Sequence, residues 1–144
     1  MKKKKIVLFV AIALLLCCGL LVYNYARIPL RRYIPEGNWE TWKWHDFSWG
    51  TTRYYSNEQA IEETLTMLNE AKLPKTRPFD YRSGGVIGFM AENVTFSFYE
   101  DGHVCVIIMD EQHAVVDRHY FTGGEKLYLR MQAIVAQLDI ESQT

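Results

Sequence analysis

The stretch VTFSFYEDGHVCVIIM, residues 94–109, sets the architecture of the chain. Its first half alternates apolar and polar side chains, with Val94, Phe96 and Phe98 on one side of the backbone. This period of two is typical of a strand with one buried face. Glu100-Asp101-Gly102 then has the composition of a tight turn, and residues 103–109 are apolar at nearly every position. The pattern therefore predicts a β-hairpin whose second strand is central in a sheet.

Similar segments flank this hairpin on both sides. GVIGFMA, residues 85–91, precedes it, and AVVDRHYF, residues 114–121, follows after a polar turn. Together the four segments predict an antiparallel meander of four strands. WETWKWHDFSW, residues 39–49, also alternates and predicts a further short extended segment.

Two amphipathic helices are predicted around the meander. The first lies within residues 56–74, where Ser56 and Gln59 match a capping box and Pro74 ends the pattern. The second begins at the capping-box match Thr122 to Glu125 and continues to the C-terminal region. A sheet with one apolar face and two amphipathic helices predicts a two-layer α+β domain. The expected fold class is thus α+β, with an N-terminal transmembrane helix followed by a four-stranded antiparallel meander flanked by two helices.

The N-terminal segment IVLFVAIALLLCCGLLVYNYA, residues 6–26, is uncharged. As a helix, about 21 residues extend about 30 Å, which matches the hydrocarbon core of a bilayer. Apolar residues continue past Gly19 without the break that precedes a signal-peptidase site, so we predict a permanent signal-anchor. A cleaved signal peptide and a lipoprotein acylated at Cys17 or Cys18 remain the alternatives.

The flanking charges predict the topology. Residues 1–5 form a basic tail with four lysines, whereas the far side of the apolar run has Arg27, Arg31 and Arg32. The positive-inside rule therefore favours a cytoplasmic tail and a single-pass protein of the cell membrane. Residues 27–38, which contain two prolines and one glycine, predict a linker that extends up to about 40 Å. Residues 39–144 form the expected extracytoplasmic α+β domain.

Charge is distributed unevenly along the chain. Residues 1–32 carry seven Lys/Arg and no Asp/Glu, whereas residues 33–144 carry nine Lys/Arg and 17 Asp/Glu. An acidic domain argues against nucleic acid as a partner and against adhesion to anionic lipid, since both favour a basic surface.

Residues with catalytic potential are few. Cys105 is the only cysteine beyond the membrane segment, so the domain has no internal disulfide. It lies within an apolar strand, where a small buried side chain is a simpler interpretation than a nucleophile. Four histidines are present, but no HExxH, CxxC or HxH motif occurs, and the paired acids lie in predicted turns and on a helix. We predict no catalytic, metal or cofactor-binding residues.

The most distinctive feature is an aromatic cluster. It consists of Trp39, Trp42, Trp44, Trp49, Tyr54 and Tyr55. Exposed, these rings form a candidate binding surface for a partner or a sugar. Buried, they fill the core of a small domain that lacks disulfides. Both interpretations fit the sequence.

The function expected from these features is non-enzymatic. We predict a membrane-anchored binding, accessory or sensing module that acts on another envelope protein or a cell-surface ligand. The alternative is a small envelope hydrolase or transferase that uses Cys105 or a histidine with nearby acids.

Overall fold

A computed structural model describes residues 2–36, 42–47, 53–80, 84–91 and 93–142. In chain order, the elements are helix α1 Lys2–Tyr25, strand β1 Arg27–Pro29, a 3-10 turn Leu30–Tyr33, β2 Lys43–Asp46, β3 Arg53–Tyr55, helix α2 Glu58–Glu70, β4 Lys72–Pro74, β5 Val86–Met90, β6 Val94–Tyr99, β7 Val104–Met109, β8 Val115–Phe121 and helix α3 Glu125–Ser142. The α+β class predicted from the sequence is confirmed.

The main sheet is larger than expected. The four predicted strands are present as the antiparallel meander β5-β6-β7-β8, but β2 and β3 extend it to the order β3-β2-β5-β6-β7-β8. The prediction of a four-stranded sheet is therefore wrong. The reason is that the aromatic segment before α2 pairs with the meander, with Trp44 directly opposite Phe89.

One face of this sheet, here called the inner face, packs against α2 and α3. Direct register places Trp44, Phe89, Phe96 and Val106 in one row across four strands, and each of these side chains is 0% exposed. The helices contribute residues such as Leu68 and Met131, which are also fully buried. Burial of this apolar surface is the main source of stability for a domain without disulfides.

Helix α2 begins one residue later than the capping-box match indicates. The N-cap is Asn57, whose side-chain oxygen accepts a hydrogen bond of 3.0 Å from the Ala60 N–H. Asparagine is at least as effective as serine at this position, so the Ser56 cap is wrong by one position. After α2 the chain enters β4 with Leu73 buried, before the expected stop at Pro74.

Helix α3 begins after a glycine turn. Gly123 has a φ of +77°, and the Gly124 carbonyl accepts the first helical hydrogen bond from Tyr128. The cap is thus Gly124 and not Thr122. A Cβ at Gly124 would lie 2.6 Å from Val104 Cγ2, so the turn requires glycine in order to approach the sheet.

Residues 27–34 differ from the predicted linker because they belong to the folded domain. Strand β1 pairs antiparallel with β4, Arg27 opposite Pro74 and Pro29 opposite Lys72. Leu30 follows with 0% exposure, and its N–H donates to the Ala71 carbonyl. The folded domain therefore starts two residues after α1 ends, and no 40 Å spacer separates them.

Helix α1 is apolar and unpacked. Within it, Lys5–Tyr23 has a mean hydropathy of 3.0 and no buried residue. By length and composition this helix is able to cross a membrane.

Candidate binding surface

The aromatic cluster divides between the core and the undescribed part of the chain. Trp42 and Trp44 are 1% and 0% exposed, and Trp42 stacks on Phe89 with ring centroids 4.4 Å apart. These two rings fill the core, as in the buried one of the two interpretations, and do not contribute to an exposed binding surface. Trp39 and Trp49 lie outside the described residues.

The two tyrosines of the cluster lie in β3. Tyr54 is opposite His45, and Tyr55 is opposite Trp44 on the inner face. Tyr55 is half-buried, and its hydroxyl donates a short hydrogen bond to Asp139 Oδ1 on α3. This contact connects the edge of the sheet to α3, so Tyr55 has a structural role.

The opposite face of the sheet, here called the outer face, contains several residues whose side chains could take part in catalysis. Register places His45, Gly88, Ser97, Cys105 and Tyr120 in one row across five strands. Neighbouring strands lie about 4.8 Å apart, so three strand spacings separate His45 from Cys105, or about 14 Å. These two residues are too far apart to act as a base and a nucleophile.

His45 is enclosed by aromatic and basic neighbours. It is 7% exposed and stacks on Phe47, with centroids 5.4 Å apart. Burial lowers the pKa of His45, and the positive charge of Lys43 lowers it further. Neutral His45 is therefore the form that the fold favours.

Cys105 has the properties of a core residue. Its side chain is 5% exposed. Burial raises the pKa of the Cys105 thiol, and this effect exceeds the opposite effect of Arg118. A buried, protonated thiol is a poor nucleophile. The geometry therefore weighs against the alternative in which Cys105 performs catalysis.

His103 has an acidic partner at the turn between β6 and β7. Its Nδ1 lies 2.9 Å from Asp101 Oδ2, and its backbone N–H donates to Asp101 Oδ1. The Phe79 ring packs on it with centroids 4.3 Å apart. In an extended chain, residues i and i+2 share a face about 7 Å apart, so His103 and Cys105 are neighbours on the outer face.

A zinc site from these residues and His119 does not form. His119 lies opposite Val106 and so belongs to the inner face, where its ring packs at a tilt against Tyr33 and its Nε2 lies 3.0 Å from Asp117 Oδ2. Within the described ranges, no three His, Cys, Asp or Glu residues come together in a way that holds a metal ion.

The outer face also carries an apolar area that no described element covers. The next register row on this face consists of Lys43, Met90, Thr95, Ile107 and Arg118. Met109 and Val115 pair in the row beyond it. The three central apolar residues Met90, Ile107 and Met109 are half-buried, and Val115 is 47% exposed. We call these four residues the distal patch.

The distal patch is far from the start of the domain. Lys75 bridges to Phe121 at the C-terminal end of β8, whereas Val115 lies six residues earlier on that strand. Six residues of extended chain cover about 20 Å. The patch therefore faces away from the point where α1 meets the domain.

The edge strand β8 is protected against pairing with another chain. Its ladder with β7 is irregular at Ile108/Met109, and the Arg118 N–H donates to Asp117 Oδ1 at 2.8 Å. A bulge and a charged side chain are common ways to block an open edge. Contact with a partner therefore favours the face of the sheet over its edge.

The distal patch was not predicted from the sequence. Its signal was present in HVCVIIM, which is apolar on both faces. That pattern predicted only that the strand is central in the sheet. In the structure the helices cover only the inner face, so the second apolar face remains half-open.

Comparison of the chain with protein-family models, with curated proteins and with solved structures found no match.

Proposed function

We propose that the chain is a single-pass membrane protein with a permanent signal-anchor, a cytoplasmic N-terminus and an extracytoplasmic domain. The support is a helical span of 19 residues, Lys5–Tyr23, without buried positions, which begins at the last of four consecutive lysines. The asymmetry of positive charge across the helix favours this orientation.

We further propose that the domain is a non-enzymatic binding module whose ligand is another envelope protein. The observation that carries this proposal is the distal patch, an apolar area on the sheet face that the helices leave uncovered. Contiguous apolar residues that remain open to solvent on a soluble domain are candidate interaction sites. Two of the four residues of the patch are methionines, Met90 and Met109, whose flexible side chains adapt to varied partner surfaces.

The charges at the rim of the patch define the chemistry of the partner. Exposed Lys43 and Arg118 end the row in which Met90 and Ile107 lie. A matching ligand is an apolar protein segment flanked by carboxylates, because such charges steer association and fix register. A cell-surface sugar fits less well, since the rings expected to stack on it at Trp42 and Trp44 are buried.

The rival function is a small hydrolase or transferase of the envelope. The observation in its favour is the Asp101–His103 pair beside Cys105. Against it, Cys105 is 5% exposed and its pKa is raised by burial.

The test is photo-crosslinking in intact cells that express the full chain in its native host. A photoreactive residue replaces Val115, and a matched probe replaces Leu129, which is 60% exposed on α3. We expect a discrete crosslinked protein from position 115 and none from position 129. Equal crosslinking from both positions, or none from position 115, would contradict the proposal.

A pair of charge variants makes this test specific. We expect Lys43→Glu with Arg118→Glu to abolish the product from position 115, because both rim cations are reversed. Lys126→Glu with Arg130→Glu reverses two exposed cations of α3 and should leave it unchanged. A product with twice the mass of the chain would identify a second copy as the occupant and refute a different partner.

A further inference from the structure

The junction between α1 and the domain contains a cleft with a mixed lining. Leu21 and Tyr23 line it from the end of α1, Ala26 from the residue between α1 and β1, and Ile28 from β1. Lys75, Thr76 and Arg77 line it from the segment after β4. We call this space the junction cleft.

Strand pairing is what brings the basic segment to the membrane helix. Arg27 lies opposite Pro74 in the β1–β4 ladder, so Lys75 follows directly beside the start of the domain. The Thr76 N–H donates to the Tyr120 carbonyl at 2.9 Å, which fixes the segment against β8. Residues almost 50 positions apart in sequence therefore meet within a few residues of the end of α1.

The cations of the cleft lack acidic partners. Lys75 and Arg77 are exposed, and neither pairs with a carboxylate in the described part of the chain. Arg27 and Lys72 are exposed on the adjoining strands. Although the domain is acidic as a whole, exposed cations are therefore present where it meets α1.

The apolar residues of the lining are suited to contact with lipid acyl chains. Leu21 and Tyr23 are 56% and 78% exposed, and the span Lys5–Tyr23 is not buried by any described part of the chain. If α1 spans a bilayer, its last turn lies at the headgroup level, where tyrosine is common. Acyl chains then contact Leu21 while a phosphate lies near Lys75 and Arg77.

We propose that the junction cleft binds the headgroup of an anionic phospholipid and seats the domain on the bilayer. The proposal rests on the membrane anchorage of α1 but not on the partner of the distal patch. It also corrects the expectation from composition that the acidic domain avoids anionic lipid. Net charge describes the whole domain, whereas a lipid meets only its membrane-facing end.

The magnitude of the effect follows from surface electrostatics. Each basic residue near an anionic lipid surface strengthens binding about fivefold. Loss of both Lys75 and Arg77 should therefore weaken binding about 30-fold. Salt should weaken binding as well, because these cations are exposed.

The experiment is native mass spectrometry of the full chain in non-ionic detergent, titrated with phosphatidylglycerol or with phosphatidylcholine. We expect the wild type to retain phosphatidylglycerol in preference to phosphatidylcholine. Lys75→Gln with Arg77→Gln should lose that preference, and Lys75→Arg with Arg77→Lys should keep it. The control, Lys126→Gln with Arg130→Gln, removes one exposed lysine and one exposed arginine of α3 outside the cleft and should bind as the wild type does.

Three outcomes would overturn the proposal. One is equal retention of the two lipids by the wild type, and another is undiminished binding by the double glutamine variant. The third is displacement of phosphatidylglycerol by inorganic phosphate at equal concentration, which would identify a site for free phosphate. Failure of membrane anchorage is distinguishable, because the chain would then remain soluble without detergent.

Discussion

Truncation of Trp42 separates the two interpretations of the aromatic cluster. The indole is 1% exposed, stacks on Phe89 at 4.4 Å and lies 6.3 Å from Phe96. Trp42→Ala removes this burial and leaves a cavity, which costs about 4 kcal/mol. For a domain with 5–15 kcal/mol of total stability, this loss is large.

The assay is thermal unfolding of the full chain in non-ionic detergent, followed by near-UV circular dichroism. A loss of about 4 kcal/mol corresponds to a Tm lower by about 15 °C. Trp42→Phe retains part of the packing and should fall between the wild type and Trp42→Ala. The control is Leu129→Ala on α3, where the side chain is 60% exposed and the change should stay within about 0.5 kcal/mol.

The reasoning would be refuted by a Trp42→Ala variant with a Tm within about 2 °C of the wild type. Such a result would place the indole on the surface, where truncation has little effect on stability. It would restore Trp42 as a candidate for direct contact with a partner.

Two predictions concern the outer face. In a Cys17→Ala, Cys18→Ala background, Cys105 should resist alkylation at pH 8 in the folded domain and react when the domain unfolds, because burial raises the pKa of its thiol. Fast labelling of the native domain would instead support the enzyme hypothesis. Burial lowers the pKa of His45 below its unfolded value of about 6.5. Neutral His45 therefore stabilises the fold above about pH 6.5. This stabilisation disappears as the pH falls through the lowered pKa of the folded state. The Tm of the wild type should therefore drop more steeply than that of His45→Asn between about pH 7 and pH 5, and identical slopes would count against the buried, neutral imidazole.

Local patterns in the sequence were sufficient for the meander and both helices. Alternation at Val94, Phe96 and Phe98 depends only on the period of a strand. The stripes of α2 and α3 depend likewise on the period of a helix. Even so, each helix start was displaced because Asn57 and Gly124 provide the caps in place of Ser56 and Thr122.

Long-range pairing was beyond local patterns. Strands β1 and β4 have three residues each and include Pro29 and Pro74, so neither has a recognisable strand signal. Their pairing turns a predicted linker into part of the domain and brings Lys75 and Arg77 to α1. The junction cleft therefore has no counterpart in the linear sequence.

The sequence also could not show whether the tryptophan side chains of the aromatic cluster are buried or exposed. Trp42 and Trp44 alternate with Lys43 and His45, which fits an exposed strand as well as a buried one. Only the register, with Trp44 opposite Phe89, assigns the indoles to the face that the helices cover.

The central claim is that the apolar helix stays in the membrane and holds the domain outside the cell. The direct measurement adds protease to intact cells that carry the full chain with one epitope at each terminus. We expect the C-terminal epitope to disappear while a short N-terminal fragment stays in the membrane. A protected C-terminal epitope, or an N-terminal epitope already absent before the protease is added, would contradict it.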